Sequence, residues 1–422
     1  MSQEIRLRTL SPPNEVVDRV LSALRIKPNK ALIHIDKALN RIAAENVYAK
    51  IDIPPHNRAV IDGYATLYSS IEGSIQTNPS RLTIVGKIEI NELPPSNYLI
   101  KPGEAIEVAT GSPLPANIDV VIPYEYTQRI SNQVLVFKEF PPKYGISYKG
   151  EDIRKGEIIV SEGEIIKPWH IALMASQGIN KVKVFNKLRS VVLSIGSELI
   201  EPGEKLRTGF IYDSTRYLVK NYLRTLGLEV KDLGIIGDDP EEIRRHIVEA
   251  MDDYDIVFTI GGTSVGEKDY TVRVLKNLNP TILIHGFALK PGRPGAIAVF
   301  NKIKLVMALS GFPVAALAEL EAIFKPIYAK IMKIKGTLNP IIKAKLAKRI
   351  PSEPGIMEIY RVKVCLENNE YKVYPLKLTG SGILSTLIKA NGLLIIPADV
   401  TGYDKGDIVE VELIGDISEC KM

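Results

Sequence analysis

Between Arg189 and Lys333 the chain switches repeatedly between short apolar runs and amphipathic helical periods, and this alternation restricts the fold more than any other feature. SVVLSI, EVKDLGII and DIVFTI read as strands. Helices are expected from about Asp213 to Leu226, over GDDPEEIRRHIVEAM, and from about Tyr270. Further strands are expected near 281–285, 296–300 and 304–309, before a long helix from Pro313 to about Lys333. Strands joined through helices need crossover connections, which implies a largely parallel sheet. The second helix is the best marked. Asp238 or Asp239 can cap it, Pro240 suits its first turn, and Ile243, Ile247 and Met251 share one face.

The flanking text differs in kind, and a length of 422 residues leaves room for about two to four domains. Residues 14–50 read as helical, with Val16, Val17, Val20, Leu21 and Leu24 on one face. Pro54-Pro55 then stops regular structure, and 56–147 carries short β-rich runs: LTIVGKIEI, EAIEVAT, VVIPYEY and QVLVFKEF. Residues 148–187 combine a turn-rich piece with a short helix from Pro168. From about Gly336 the chain is β-rich again, with YRVKVCLE, YKVYPLKL, LLIIPAD and DIVEVELI as strands. The expected architecture is an α/β core with β-rich domains on both sides.

Charge excludes some functions. The 54 basic and 49 acidic residues are well mixed, with no basic tail or stripe, so nucleic acid is not an expected partner. A small anionic substrate needs only a few placed cations and remains compatible. No apolar run reaches the roughly 18 residues of a membrane span, and MSQEIRLRTLSPPNEV lacks the apolar core of a signal peptide. Cys365 and Cys420 cannot form a disulfide framework, and no Cys or His sits near them at metal-ligand spacing. A cytoplasmic location is the default expectation.

Three loops in the α/β segment could carry chemistry. GGTSVGEKDY follows a buried strand and precedes a helix, where open α/β sheets bind ligands. Gly261 and Gly262 would let the backbone approach an anion near the helix N-terminus, with Thr263, Ser264 and Gly266 completing the loop. The loop lacks the GK[ST] ending of a phosphate loop, so a plain glycine turn remains an alternative. Glu267 and Asp269 favour an anion site if a divalent cation bridges them to phosphate oxygens. Glu198, in SIGSELIEPG, is either a solvated loop acid or a second acid on the same crevice. In HGFALKPGRPGAIAV, Lys290 and Arg293 flank a Pro-Gly turn, either as surface cations or as a site for a tetrahedral oxyanion or phosphate. Asp62, Thr110 and Asp152 each sit in a glycine-bearing turn of otherwise β-rich text, where each alone is an ordinary turn residue. Asp213 or Ser214 reads as a helix cap.

Together these phrases resemble one family closely, the molybdopterin molybdenumtransferases, which include the enzyme domain of gephyrin. IDGYA, ATGSPLP, GEDI, IGSEL with IYDS, LGIIGDDPEEI, GGTSVGEKDY and KPGRP occur in the family's order between about residues 50 and 315. The resemblance implies a three-layer α/β pterin-binding domain (188–335), a discontinuous elongated domain (1–50 with 148–187), an inserted β-rich domain (51–147) and a C-terminal β-barrel (336–422). It implies a reaction in which adenylylated molybdopterin and molybdate (or tungstate) react with release of AMP, promoted by Mg²⁺ or a similar divalent cation. It implies a homodimer with its site shared between subunits, and as partners a molybdopterin adenylyltransferase and the molybdoenzymes that receive the cofactor.

By the same resemblance, Gly261, Gly262, Thr263, Ser264 and Gly266 would hold the pterin or its phosphate. Asp269 and Glu198 would be acids at the pyrophosphate that hold the cation, and Lys290 and Arg293 would neutralise the oxyanion. Asp62, Thr110 and Asp152 would complete the site from the other subunit. Two departures stand out. Ser310-Gly311-Phe312-Pro313 replaces the family's Pro-Gly-Asn-Pro. Gly355-Ile356-Met357-Glu358 lacks the usual arginine, for which Arg361 is a candidate substitute. Two other functions stay open at this point: a pterin-cofactor scaffold or carrier without turnover, and a molybdopterin adenylyltransferase.

Overall fold

The computed structural model describes residues 10–263, 270–376 and 380–420. At its centre lies a six-stranded sheet made of β1 (Arg189–Ile195), β2 (Glu229–Ile236), β3 (Ile256–Ile260), β4 (Ile282–His285), β5 (Ala296–Phe300) and β6 (Lys304–Leu309), in spatial order β2-β1-β3-β6-β5-β4. The first four strands in that order are parallel, and β5 runs antiparallel to both of its neighbours. The helices are α1 (Thr215–Thr225), α2 (Pro240–Asp253), α3 (Tyr270–Asn277), α4 (Pro313–Glu319) and α5 (Lys325–Ile331), with a π turn over Leu320–Phe324 joining the last two.

Period-two alternation sends the strand side chains to opposite faces, and helices cover both. Val192, Phe258 and Met307 pack with Val219 and Leu223 of α1 and with Leu320 and Phe324 of the π turn. Val191, Leu193, Val257 and Val306 pack with Ile243 and Ile247 of α2 and Leu275 of α3. This is the expected three-layer core. The start of α2 is also as expected: Asp239 accepts from the Glu242 N–H and Pro240 opens the first turn.

The helix expected over 14–50 is much shorter, Pro13–Ala23. Leu24 is already extended, Pro28 cannot continue a helix, and Lys30–His34 forms a strand paired antiparallel with Lys181–Phe185. The helix buries Val16 and Val20 in the same cluster as α1. Val47–Tyr48 pairs with Ile158–Val160, so chain from before and after the β-rich insertion shares hydrogen-bonded ladders. The insertion itself forms a second six-stranded sheet, and the helix expected from Pro168 runs Pro168–Ser176.

Near the C-terminus, strands Met357–Glu367, Glu370–Pro375, Ile341–Leu346, Ile408–Leu413 and Gly392–Ile396 pair in that order, and the last returns to the first, closing the expected barrel. Leu289–Lys290 adds a short parallel strand against Met357–Glu358, so the α/β core reaches into the barrel. The two cysteines have a role that the sequence reading did not give them. Cys365 and Cys420, with Cα atoms 5.1 Å apart, form one disulfide that ties Ser418–Glu419 to the long barrel strand. Pairing across 55 residues left no local sequence signal. Among the described residues, no helix is long and apolar enough to cross a membrane.

Candidate functional site

β1 and β3 are neighbours, yet the crossover after β1 lies on one face of the sheet and the crossover into β3 on the other. Such a switch of direction opens a crevice at the carboxyl ends of the strands. A cleft of about 1110 Å³ lies there, floored by Ile195, Ile260 and Ser310, the residues at or just beyond the ends of β1, β3 and β6.

After β3, Gly261 (φ +93°) and Gly262 (φ +68°) turn the chain in the left-handed region. A Cβ on Gly261 would lie 2.4 Å from the Ile195 carbonyl oxygen, and one on Gly262 would lie 2.3 Å from Thr271 Oγ1. Only glycine fits at either position. The turn is held by Gly261 N–H donating to the Leu309 carbonyl (3.0 Å) and Thr271 N–H donating to that of Gly262 (3.3 Å). Gly261, Gly262 and the buried Thr263 therefore line the cleft, with α3 following. Ser264, Gly266, Glu267 and Asp269 lie outside the described residues.

On the β1 side, Glu198 lines the same cleft. Its Oε2 sits where a Gly196 Cβ would approach to 2.9 Å, so the carboxylate folds back over the strand end. The Ser197 N–H donates to Asp238 (3.0 Å), which brings a second acid from the β2 loop to the wall. Asp213 caps α1 by accepting from the Arg216 N–H and also takes the Arg216 Nε–H (2.8 Å). Arg216 bonds to Asp232 and Glu201 as well. Burial opposes the guanidinium charge, but Asp213 and Asp232 outweigh it and raise the Arg216 pKa. The buried arginine is neutralised within the wall rather than offered to the cleft.

Lys290 and Arg293 line the opposite side, already engaged with acids. Lys290 Nζ lies 3.2 Å from the buried Glu358 and 3.9 Å from Glu353, and Arg293 Nη2 lies 2.9 Å from Glu353. Both cations remain about half exposed. Glu353 is half exposed, whereas Glu358 is buried and holds Lys290 from within the fold. These two acids were missed in the sequence because they come from the barrel, 60 and 68 residues downstream of their partners.

The departing turn sits between these walls. Gly311 accepts from Thr215 Oγ1 (2.7 Å), and exposed Phe312 lies over Gly382 at the mouth. Ser310 donates through its N–H (2.9 Å) and its Oγ (2.5 Å) to Glu319, which is wholly buried on α4. Burial pushes the Glu319 carboxyl from 4.5 up to about 8, against the smaller opposing effect of the two Ser310 bonds. A single acid in the apolar run VAALAEL was the signal available in the sequence.

Asp62, Thr110 and Asp152, expected to reach the site from another subunit, do not line the cleft of their own chain. Asp62 accepts from the Thr110 N–H at 2.6 Å, a bond that holds its carboxyl below the usual carboxylate range. The two are thus paired with each other, on the β-rich insertion. Asp152 lies in a separate groove with Tyr148, Lys149 and Arg154. Arg361 does not replace the missing arginine. Its side chain is buried behind the KPGRP loop, bonded to Thr386 Oγ1 (3.1 Å) and lined by Pro291, Leu317 and Ile359. Among the described residues, no group of three or more His, Cys, Asp or Glu could hold a metal ion.

Comparison with known proteins fits this geometry. Family profiles match as "MoeA N-terminal region (domain I and II)" over residues 11–178, "Probable molybdopterin binding domain" over 191–330 and "MoeA C-terminal region (domain IV)" over 343–414. A molybdopterin biosynthesis protein of Methanocaldococcus jannaschii is 35% identical, covering 97% of this chain and 98% of its own. The molybdopterin molybdenumtransferase of Haemophilus influenzae is 30% identical, covering 93% and 96%. The crystal structure of the molybdopterin biosynthesis MoeA protein of Pyrococcus horikoshii OT3 superposes with a TM-score of 0.79 at 30% identity, covering 96% of this chain and all of that one.

Proposed function

The chain belongs to the molybdopterin molybdenumtransferase family of molybdenum cofactor biosynthesis, and from that premise we propose that its cleft takes adenylylated molybdopterin together with molybdate or tungstate and releases AMP. The observation that carries this reading is the meeting of the Gly261-Gly262-Thr263 turn, Glu198 and the Lys290/Arg293 pair around one cleft at the carboxyl ends of β1, β3 and β6. The glycine turn accommodates the pterin phosphate at close backbone range. Lys290 and Arg293 face the oxyanion and the negative charge that develops on transfer. The scaffold and adenylyltransferase readings are not favoured, since relatives named as molybdenumtransferases align over nearly the whole chain, β-rich parts included.

Magnesium is bound by hard oxygen donors, commonly one or two carboxylates plus substrate phosphates. Glu198 fits that role: it lines the cleft, and no cation or hydrogen-bond donor among the described residues engages its carboxylate. With Asp269 as a second acid, it would hold such an ion, which when bound would supply positive charge for a phosphate-bearing substrate.

The division into 1–50 with 148–187, 51–147, 188–335 and 336–422 belongs to the same reading. So does a homodimer in which Asp62, Thr110 and Asp152 of one copy complete the cleft of the other. Leu32, Leu39, Tyr48, Ile158 and Trp169 are exposed on the discontinuous segments, and so large an apolar set supports a subunit contact there. In this reading the enzyme acts in the cytoplasm, between a molybdopterin adenylyltransferase and the acceptor molybdoenzymes.

The test is to incubate the purified protein with adenylylated molybdopterin, Mg²⁺ and either oxyanion. AMP release with oxyanion-dependent cofactor formation is expected, and Asp269→Ala should abolish it while the dimer persists. Tight pterin binding without AMP, or ATP-dependent adenylylation, would defeat the assignment.

A further inference from the structure

Among the described residues, Glu319 is the one wholly buried acid beside the cleft that the proposed reaction leaves unused. It stands between two of the cleft's working parts. A Cβ on Gly292 would meet its Cγ at 2.9 Å, and one on Gly295 would meet its Oε1 at 2.8 Å, so the loop bearing Lys290 and Arg293 is moulded around this side chain. Its other contact is Ser310 on the cleft floor, bonded through both N–H and hydroxyl. Were a proline at 310, as in the family's turn, neither bond could form.

Resting on the oxyanion-binding reading of the cleft, we propose that Glu319 is a positioning residue for the oxyanion, deciding whether the Ser310 hydroxyl offers it a proton or a lone pair. The argument is one of donor and acceptor counting. The Ser310 N–H keeps one carboxyl oxygen occupied as an acceptor. If the carboxyl is ionised, the hydroxyl must spend its only hydrogen on the other oxygen, and it presents lone pairs to the cleft above a buried negative charge. If the carboxyl is protonated, it donates to Ser310 Oγ, and the hydroxyl hydrogen is released to an anion in the cleft. Burial favours the protonated form.

No neighbouring charge among the described residues reverses that preference. Lys290 and Arg293 on the adjoining loop are engaged with Glu358 and Glu353, and Arg216 on α1 with Asp213, Asp232 and Glu201. Lys220 on α1 binds Asp232, Glu321 beyond α4 binds Lys325, and Arg361, buried behind the loop against Leu317, bonds Thr386 and is not among the influences on Glu319. Lys304, at the far end of β6, donates to the carbonyls of Asp252 and Tyr254.

The test is calorimetric titration of the full chain with molybdate between about pH 6.5 and about pH 9. Wild-type affinity should fall about fivefold across that range, one ordinary hydrogen bond's worth. Glu319→Gln, whose amide donates to Ser310 at every pH, should hold the low-pH affinity throughout. Ser310→Ala should bind about fivefold more weakly at low pH, and adding Glu319→Gln to it should restore nothing. A pH dependence that survives unchanged in Glu319→Gln overturns the proposal alone. So does a Ser310→Ala variant that binds as well as wild type. If the wild type binds no molybdate at any pH, the oxyanion reading of the cleft falls and takes the proposal with it.

Discussion

Glu319 also has a consequence for stability. An acid whose pKa is about 8 in the folded chain and about 4.5 when unfolded keeps its proton longer in the folded state. Between those values the folded protein binds more protons than the unfolded one, so stability falls as pH rises through the window and levels off above it. The loss is on the order of a few kcal/mol. Urea titrations at about pH 5 and about pH 9 should therefore show wild type losing stability relative to Glu319→Gln. Parallel behaviour of the two proteins would show that this carboxyl does not titrate as its burial demands. Arg361 teaches a related lesson: burial lowers its pKa, and a cation placed behind the loop cannot serve a ligand in front of it.

At the scale of elements, the turn after β3 is the most constrained piece. Gly261→Ala combines an unfavourable φ with a contact against a carbonyl of β1, and should cost about 2–4 kcal/mol. Chemical denaturation would measure it, together with a loss of oxyanion binding, because β1 and β3 must separate to admit the methyl group. An unchanged midpoint would mean that the strand ends are looser than their hydrogen bonds indicate. The sequence announced this turn, and the start of α2, through local chemistry: glycine at a sharp turn, Asp239 as a cap, and Pro240 in the first helical turn. Where chemistry was not local, reading failed. Val16, Val17, Val20, Leu21 and Leu24 gave a true helical face, yet nothing in that periodicity marked its end before Lys30–His34 joined a distant strand. Glu353 and Glu358 were invisible as site residues because their partners lie on another domain's loop. Asp62, Thr110 and Asp152 were legible only through the family resemblance, which assigns them to another subunit's site, and they do not line the cleft of their own chain.

At the scale of the molecule, the disulfide is the one covalent link beyond the backbone among the described residues. Replacing Cys365 and Cys420 by serine should lower stability by up to about 4 kcal/mol in the chain-entropy view of a loop this long. Alkylation of unfolded, unreduced protein followed by mass measurement checks the bond itself: no thiol should react without reductant, and two should react with it. The pairing of Leu289–Lys290 with Met357–Glu358 has a different reach. Ribosomes deliver the chain from its N-terminus, and domains can fold as they emerge. The three α/β layers are complete once α5 is made, but Lys290 acquires Glu358 only after the barrel's long strand has followed. Until then the nascent chain has its glycine turn but not the acid that fixes Lys290, so the geometry of this wall of the cleft is set only once the barrel strand has been made.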